Sequence, residues 1–141
     1  MTSSIVKDKD RGSLTVELVV LTPVLVIFAM LAIGLGRYEI ARGRVVAAAS
    51  AAASAASAAA SAAVAEPDAS DAAEPVLGGG SHICSTFTVM ADLSRFSPGG
   101  SVTVSVSCQV TLADLLVPGL PGVTTVRASS RAPIDPYREF G

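Results

Sequence analysis

The residue in this sequence best suited to a chemical role is Glu17, a carboxylate at the start of a long apolar stretch. No residue from Leu18 to Gly36 carries a charge. A carboxylate in a membrane helix costs up to about 2.5–3.5 kcal/mol at the bilayer centre and less near an end, and such residues usually have a charged partner. Arg11 lies near the aqueous edge, six residues before Glu17. We therefore expect a partner for Glu17 from another chain.

Cleavage of the chain after Gly12 would create such a partner. Ser13 would then carry a positive terminal amine, and Glu17 would be the fifth residue of the mature chain. The amine of one subunit and Glu17 of its neighbour could neutralise each other inside an apolar bundle, which would set the axial register of the helices. The alternative is a plain signal anchor, in which Glu17 extends to water from the cytoplasmic edge.

The other polar residues do not form a catalytic or metal-binding motif. His82 is the sole histidine and stands beside a glycine-rich stretch, where solvation explains it best. The acidic residues Glu66, Asp68, Asp71 and Glu74 are best explained as solvating a linker, with weak cation binding as the less favoured alternative. We therefore predict no catalytic residue, metal or cofactor. Ten basic and twelve acidic residues give a net charge of −2, which argues against direct nucleic-acid binding.

The two cysteines, Cys84 and Cys108, both lie in the C-terminal part of the chain. An even pair in a small domain suggests a disulfide and an oxidising compartment, with two buried thiols as the alternative. Cys108 shares the apolar face of its strand, whereas Cys84 has the opposite parity to Phe87. A bond between the two cysteines therefore requires a bulge, or a first strand that begins after Cys84.

The apolar run predicts one membrane-spanning helix over about residues 14–36, because it is roughly 30 Å long. A cleavable secretory signal has a shorter apolar region, and a soluble buried helix is the other alternative. Pro23 removes one backbone hydrogen bond and is expected to kink the helix.

The orientation of this helix is not decided by charge, because equal numbers of basic residues flank its two ends. The cysteines decide the predicted orientation, since a disulfide forms in an oxidising compartment. Residues 1–12 are therefore predicted to be a leader or cytoplasmic tip, and the C-terminus is predicted to be extracytoplasmic.

An Ala/Ser-rich extension over 37–65 continues the same helix, since alanine is the strongest helix former. Ser50, Ser54, Ser57 and Ser61 form one helical stripe in it. This is either a close-packing surface for a helical bundle or filament, or a spacer with chance spacing. Pro67 and Pro75 predict a linker over 66–81.

Residues 82–141 predict a small antiparallel sheet of about three strands, which makes the fold class α+β. Strict alternation in "SVTVSVSCQVTL" indicates a half-buried strand. A hairpin turn at Pro98, Gly99 and Gly100 precedes it, "LADLLVPG" suggests one helical turn, and "VTTVRASSRA" is a third strand. The long helix is the only large apolar surface available to cover the sheet.

The stretch "RGSLTVEL" resembles the processing site of type IV prepilins, with a basic leader ending in glycine and a glutamate at mature position five. With the apolar run, "GR", the alanine-rich helix and the terminal "PIDPYRE", the chain resembles the TadE-like family of tight-adherence (Flp) pilus assembly. The resemblance implies that prepilin peptidase cuts between Gly12 and Ser13 and that Glu17 is the assembly carboxylate.

By the same resemblance, the protein is expected to be a non-enzymatic minor pilin or pseudopilin in the cell membrane. Its implied partners are the membrane, the major Flp-type pilin, other minor pilins, prepilin peptidase and the pilus assembly platform. Two alternatives stay open: an unprocessed, membrane-anchored surface binding protein, and a secreted protein released by ordinary signal peptidase.

Overall fold

The fold consists of two long helices, one short helix and a three-stranded sheet, as seen in a computed structural model that describes residues 11–78, 84–115, 119 and 121–139. The leader up to residue 10, the end of the predicted linker (79–81) and His82 lie outside these residues. The α+β prediction is confirmed. The elements in chain order are α1 (Arg11–Ala58), α2 (Ala62–Gly78), β1 (Thr86–Asp92), β2 (Ser101–Thr111), α3 (Leu112–Leu115) and β3 (Val123–Pro133).

The sheet has the order β1-β2-β3, and both strand pairs are antiparallel. Its central strand β2 has the predicted alternation, with every second side chain fully buried. The predicted hairpin turn connects β1 to β2, and Gly99 adopts a φ of 74° in it, a conformation that favours glycine. The inward residues of β2 are Val102, Val104, Val106, Cys108 and Val110.

Both helices cover the inner face of the sheet. Helix α1 packs on β2 and β3, and α2 packs on α1 and β1. Most of the helical core is alanine, whose small side chain lets helix backbones approach closely. The buried helix residues are Ala41, Val45, Ala48, Ala49, Ala52, Ala53, Ala56, Ala65, Ala69, Ala73 and Leu77.

The predicted linker over 66–81 is wrong for most of its length, because α2 continues to Gly78. The prediction of one helix to residue 65 is also wrong, since α1 ends at Ala58 and the chain reverses direction over residues 59–61. The reversal pairs the alanine face of α2 with that of α1, an arrangement that buries apolar surface that a solvated linker would expose.

The two prolines of α2 were expected to end a helix, yet both lie inside it. Each removes one backbone hydrogen bond, to the carbonyl of the residue four positions earlier. Pro67 and Pro75 are both exposed, as are Ala63 and Asp71, whose carbonyls lose their donors. Water can bind these carbonyls, and the buried alanine face offsets the remaining cost.

Cys84 and Cys108 are joined by a disulfide, with their Cα atoms 5.4 Å apart. Strand β1 begins at Thr86, so Cys84 precedes it, and Cys108 lies opposite Phe87 in the register. The parity conflict in the sequence is therefore resolved by the late start of the strand and needs no bulge. The bond holds Cys84 against the buried face of β2.

The C-terminal segment caps α1. The Arg138 guanidinium donates from Nη1 to the Ser57 carbonyl at 2.8 Å and from Nη2 to the Ala58 carbonyl. The last carbonyls of a helix have no partner inside the helix, and a cation there also interacts favourably with the helix dipole. Arg138 therefore stabilises the point at which α1 ends.

We expect Arg138→Ala to lower the free energy of unfolding by about 1–2 kcal/mol, because two charge-assisted hydrogen bonds are lost. The measurement is urea unfolding of the full chain in detergent micelles, followed by circular dichroism. Arg127→Ala is the control: this arginine is exposed on β3, and its loss should cost less than about 0.5 kcal/mol. Equal effects of the two variants would contradict the capping role.

The serines of the predicted stripe lie away from the buried alanine face. Ser50, Ser54 and Ser57 lie on α1, whereas Ser61 lies in the chain reversal that follows it. Ser50 and Ser54 are exposed, and Ser57 and Ser61 are half-buried. The Ser57 hydroxyl donates to the Ser54 carbonyl at 2.9 Å. Close helix packing within this chain therefore uses the alanines, and the exposed serines stay accessible to other molecules.

Candidate functional site

Glu17 lies on the N-terminal part of α1, where its side chain is exposed. Its exposed neighbours include Val16, Val20 and Leu21, so the carboxylate stands in an apolar surface. Within the described part of the chain, no hydrogen bond or ion pair to Glu17 is present. Its charge therefore needs a partner from outside these residues, or water at the edge of a membrane.

Gly12 and Ser13 belong to the first turn of α1. Ser13 and Glu17 are four positions apart, which corresponds to about 6 Å along the helix axis. If Ser13 were the first residue, Glu17 would lie near the positive end of the helix dipole, where a carboxylate is stabilised. The helical backbone thus places the predicted processing site and the predicted assembly carboxylate about one turn apart.

The apolar part of α1 is exposed on all sides. One helix in the described residues, Val16–Ala58, is long and apolar enough to cross a membrane. In its most apolar stretch of 18 residues, only 6% of the residues are buried. A core helix of a soluble domain would be mostly buried instead. The helix therefore fits a single-pass membrane protein.

Pro23 lies in the middle of this exposed segment, and α1 continues through it. The missing N–H leaves the Val19 carbonyl without its usual donor. The hydroxyl of Thr22, the residue directly before Pro23, donates a hydrogen bond to the Leu18 carbonyl at 2.6 Å. This bond is a second one to the Leu18 carbonyl and does not replace the bond that is lost at Val19. The predicted kink at Pro23 stays a prediction.

Beyond the apolar segment, Arg37 links α1 to the sheet. Its Nη1 donates to the Asp114 carbonyl in α3 at 3.1 Å. A cavity of about 180 Å³ lies beside this contact, lined by Arg37, Ile40, Ala41, Val110, Asp114 and Leu115. No local sequence pattern indicates this contact, because Arg37 and Asp114 are 77 positions apart.

At the opposite end of the sheet, a shallow depression of about 700 Å³ lies beside the β1–β2 turn and is lined partly by Arg95 and Arg131. Arg131 donates to the Ser101 hydroxyl oxygen from Nε at 2.8 Å and from Nη2 at 2.6 Å. Hydrogen bonds from the Ser94 hydroxyl and backbone N–H lower the pKa of the neighbouring Asp92. These contacts order the turn and leave it open to solvent.

The acidic residues Glu66, Asp68, Asp71 and Glu74 are all exposed on α2. Among the described residues, no group of three or more His, Cys, Asp or Glu side chains could hold a metal ion. The four carboxylates thus lie on a solvated helix surface.

Comparison with protein-family models gives one match, to the family described as TadE-like protein, over residues 12–54. The match begins at Gly12, includes Glu17 and the apolar segment, and ends within the alanine-rich part of α1, before α2 and the sheet. Neither a curated protein nor a solved structure matches the chain. The resemblance to the TadE-like family that the sequence motifs predicted is therefore confirmed over residues 12–54.

Proposed function

We propose that this chain is a non-enzymatic minor pilin or pseudopilin that acts in the assembly of a tight-adherence (Flp) pilus. The TadE-like match connects the chain with pilus-related function in general. The observation that carries the finer role is Glu17, an exposed carboxylate in an apolar helix, five residues after Gly12. When helices of several subunits associate in an apolar bundle, a carboxylate at this position can pair with a positive charge of a neighbouring subunit.

The division of α1 into two parts supports this role. Its apolar segment up to Gly36 is almost entirely exposed, whereas the part from Ala41 onward is covered on one side by α2 and the sheet. The exposed segment can cross a membrane or pack against the helices of other subunits. The major Flp-type pilin and other minor pilins are the proposed partners there, with the assembly platform at the membrane.

The proposed topology has a cytoplasmic N-terminus and an extracytoplasmic sheet. The disulfide between Cys84 and Cys108 supports it, because disulfides persist in oxidising compartments. In this arrangement Gly12 and Ser13 face the cytoplasmic edge of the membrane, where prepilin peptidase would cut between them.

We expect the protein purified from native membranes to begin at Ser13, and a Gly12→Ala variant to keep its full length. The measurement is N-terminal sequencing with intact mass. Gly36→Ala is the matched control from the same helix: a Cβ there meets no atom within 4 Å, so this variant should be cleaved normally.

The other outcomes identify the alternatives. A full-length N-terminus in all three proteins would contradict processing and favour an unprocessed membrane anchor. A mature chain that begins beyond the apolar segment would show release by ordinary signal peptidase, and would remove Glu17 from the functional protein.

A further inference from the structure

The depth of the sheet relative to a membrane can be read from α1. The uncharged run ends at Gly36, and Arg37 is the first charged residue after it. Arg37 is followed by Tyr38, which is 39% exposed. Arginine and tyrosine are both typical of the membrane–water boundary, because the polar end of each side chain reaches water while its apolar part stays in the membrane. Residues 37 and 38 therefore mark the level of one headgroup layer.

The connection between β2 and β3 lies at this same level. The Arg37 guanidinium donates to the Asp114 carbonyl in α3, the short helix that begins this connection. The opposite end of the sheet is far away, since Arg138 contacts Ser57, which lies about 30 Å further along α1. The sheet therefore runs alongside α1, with one end at the membrane level and one end distant from it.

The described residues at the membrane level are mostly apolar. Among those that the structure describes between Leu112 and Val123, Asp114 is the only charged one. Its carboxylate accepts a hydrogen bond from the Thr111 hydroxyl, and its carbonyl accepts the one from Arg37. Val123 is 57% exposed and Ile40 is 58% exposed. The distal end differs, because it carries Arg95, Asp135, Arg138 and Glu139.

The two ends of this connection are also held together. The Leu112 N–H donates a hydrogen bond to the Gly122 carbonyl at 3.0 Å. Gly122 has a φ of 136°, and a Cβ there would lie 2.6 Å from Leu112 Cδ1. Glycine thus lets the leucine side chain close over the backbone, and the two ends of the connection stay together beside α1.

We propose that this end of the domain, formed by Leu112, Val123 and Ile40 beside Arg37, rests in the headgroup–acyl boundary of the lipid bilayer. The lipid surface is its occupant because the apolar surface continues directly from the membrane-spanning segment of α1. Contacts of this kind bury apolar groups about 5–10 Å into the boundary. The contact would then hold the domain, together with the helix α1 on which it packs, at one tilt relative to the membrane. The proposal rests on α1 crossing the membrane and is independent of cleavage or pilus assembly.

The test uses single-tryptophan variants of the full chain, which contains no tryptophan of its own. Val123→Trp reports on the proposed lipid contact, and Tyr137→Trp is the matched control at the distal end, where the side chain is 92% exposed. Phe28→Trp reports on insertion of the apolar segment. Each protein is reconstituted in two sets of phosphatidylcholine–phosphatidylglycerol vesicles, one with acyl chains brominated close to the headgroup and one with acyl chains brominated near their ends. The first set tests Val123→Trp and Tyr137→Trp, and the second tests Phe28→Trp, which lies about 13 Å deeper than Arg37.

We expect bromine to quench the fluorescence of Val123→Trp several-fold more than that of Tyr137→Trp, and acrylamide to quench the two in the reverse order. Equal bromine quenching of these variants, with Phe28→Trp quenched, would overturn the lipid contact while leaving the membrane span intact. A lack of quenching for Phe28→Trp in both sets of vesicles would overturn the span and the lipid contact together. N-terminal sequencing of the native protein tests processing separately, so the two proposals can fail independently.

Discussion

Replacing Cys84 and Cys108 together with alanine is expected to lower the free energy of unfolding by about 3–4 kcal/mol. The disulfide links residues 24 positions apart, and a loop of this length restricts the unfolded chain by about 3.5 kcal/mol in the chain-entropy description. This loss is a large fraction of the total stability, because a domain with a mostly alanine helical core gains little from each buried side chain. Urea unfolding of the full chain in micelles measures it.

Two controls separate the loss of the bond from the loss of other contacts. Wild-type protein treated with a reductant should unfold at the same urea concentration as the double variant. Ser85→Ala removes a neighbouring hydrogen bond, from the Ser85 hydroxyl to the Gln109 carbonyl at 3.0 Å, and should cost about 1 kcal/mol or less. A double variant as stable as wild type would show that helix and sheet packing alone hold the domain together.

Under the proposed function, Glu17→Gln should be cleaved normally but should fail to enter filaments. Glutamine keeps the size and hydrogen-bonding capacity of the side chain and removes its charge, so the pair with a neighbouring subunit's terminal amine is lost. A charge pair between subunits in apolar surroundings contributes more than about 1.4 kcal/mol, which corresponds to roughly tenfold in assembly. We therefore expect at least about a tenfold smaller amount of the protein in sheared filaments.

Glu39→Gln is the matched control for this experiment, because Glu39 is an exposed glutamate on α1 beyond the apolar segment. Its replacement should leave the amount in sheared filaments unchanged. Wild-type incorporation of Glu17→Gln would remove the assembly role of this carboxylate. Loss of the variant from the membrane itself would instead indicate a role in insertion or folding.

The membrane-length helix and strand β2 are the elements that the sequence predicts best, because each depends on a local pattern. The length of the apolar run predicts the length of the membrane helix. The alternation from Val102 to Val110 predicts which side chains of β2 point to each face of the sheet. The hairpin turn and α3 are likewise local. The TadE-like resemblance also rests on short motifs around Gly12 and Glu17, and the family match lies within residues 12–54.

Local patterns gave the wrong prediction for the end of α1 and for the segment after it, where the residues are compatible with either a helix or a linker. The Ala/Ser-rich tract contains no breaker near Ala58, whereas the segment after it contains two prolines, so local propensity placed the helix end too late and replaced α2 with a linker. The actual reversal depends on partners distant in sequence: the alanine face of α2, and Arg138, which binds the last carbonyls of α1.

The sequence by itself determined the membrane-length helix, the position of Glu17 in it, the central strand and the α+β class. Only the tertiary structure decided the helical pair, the residue at which β1 begins and the contact of Arg37 with Asp114. The physical reason is that alanine has almost no preference for a particular neighbour. Where an alanine-rich helix ends, and what covers it, is decided by the sum of many small contacts across the fold.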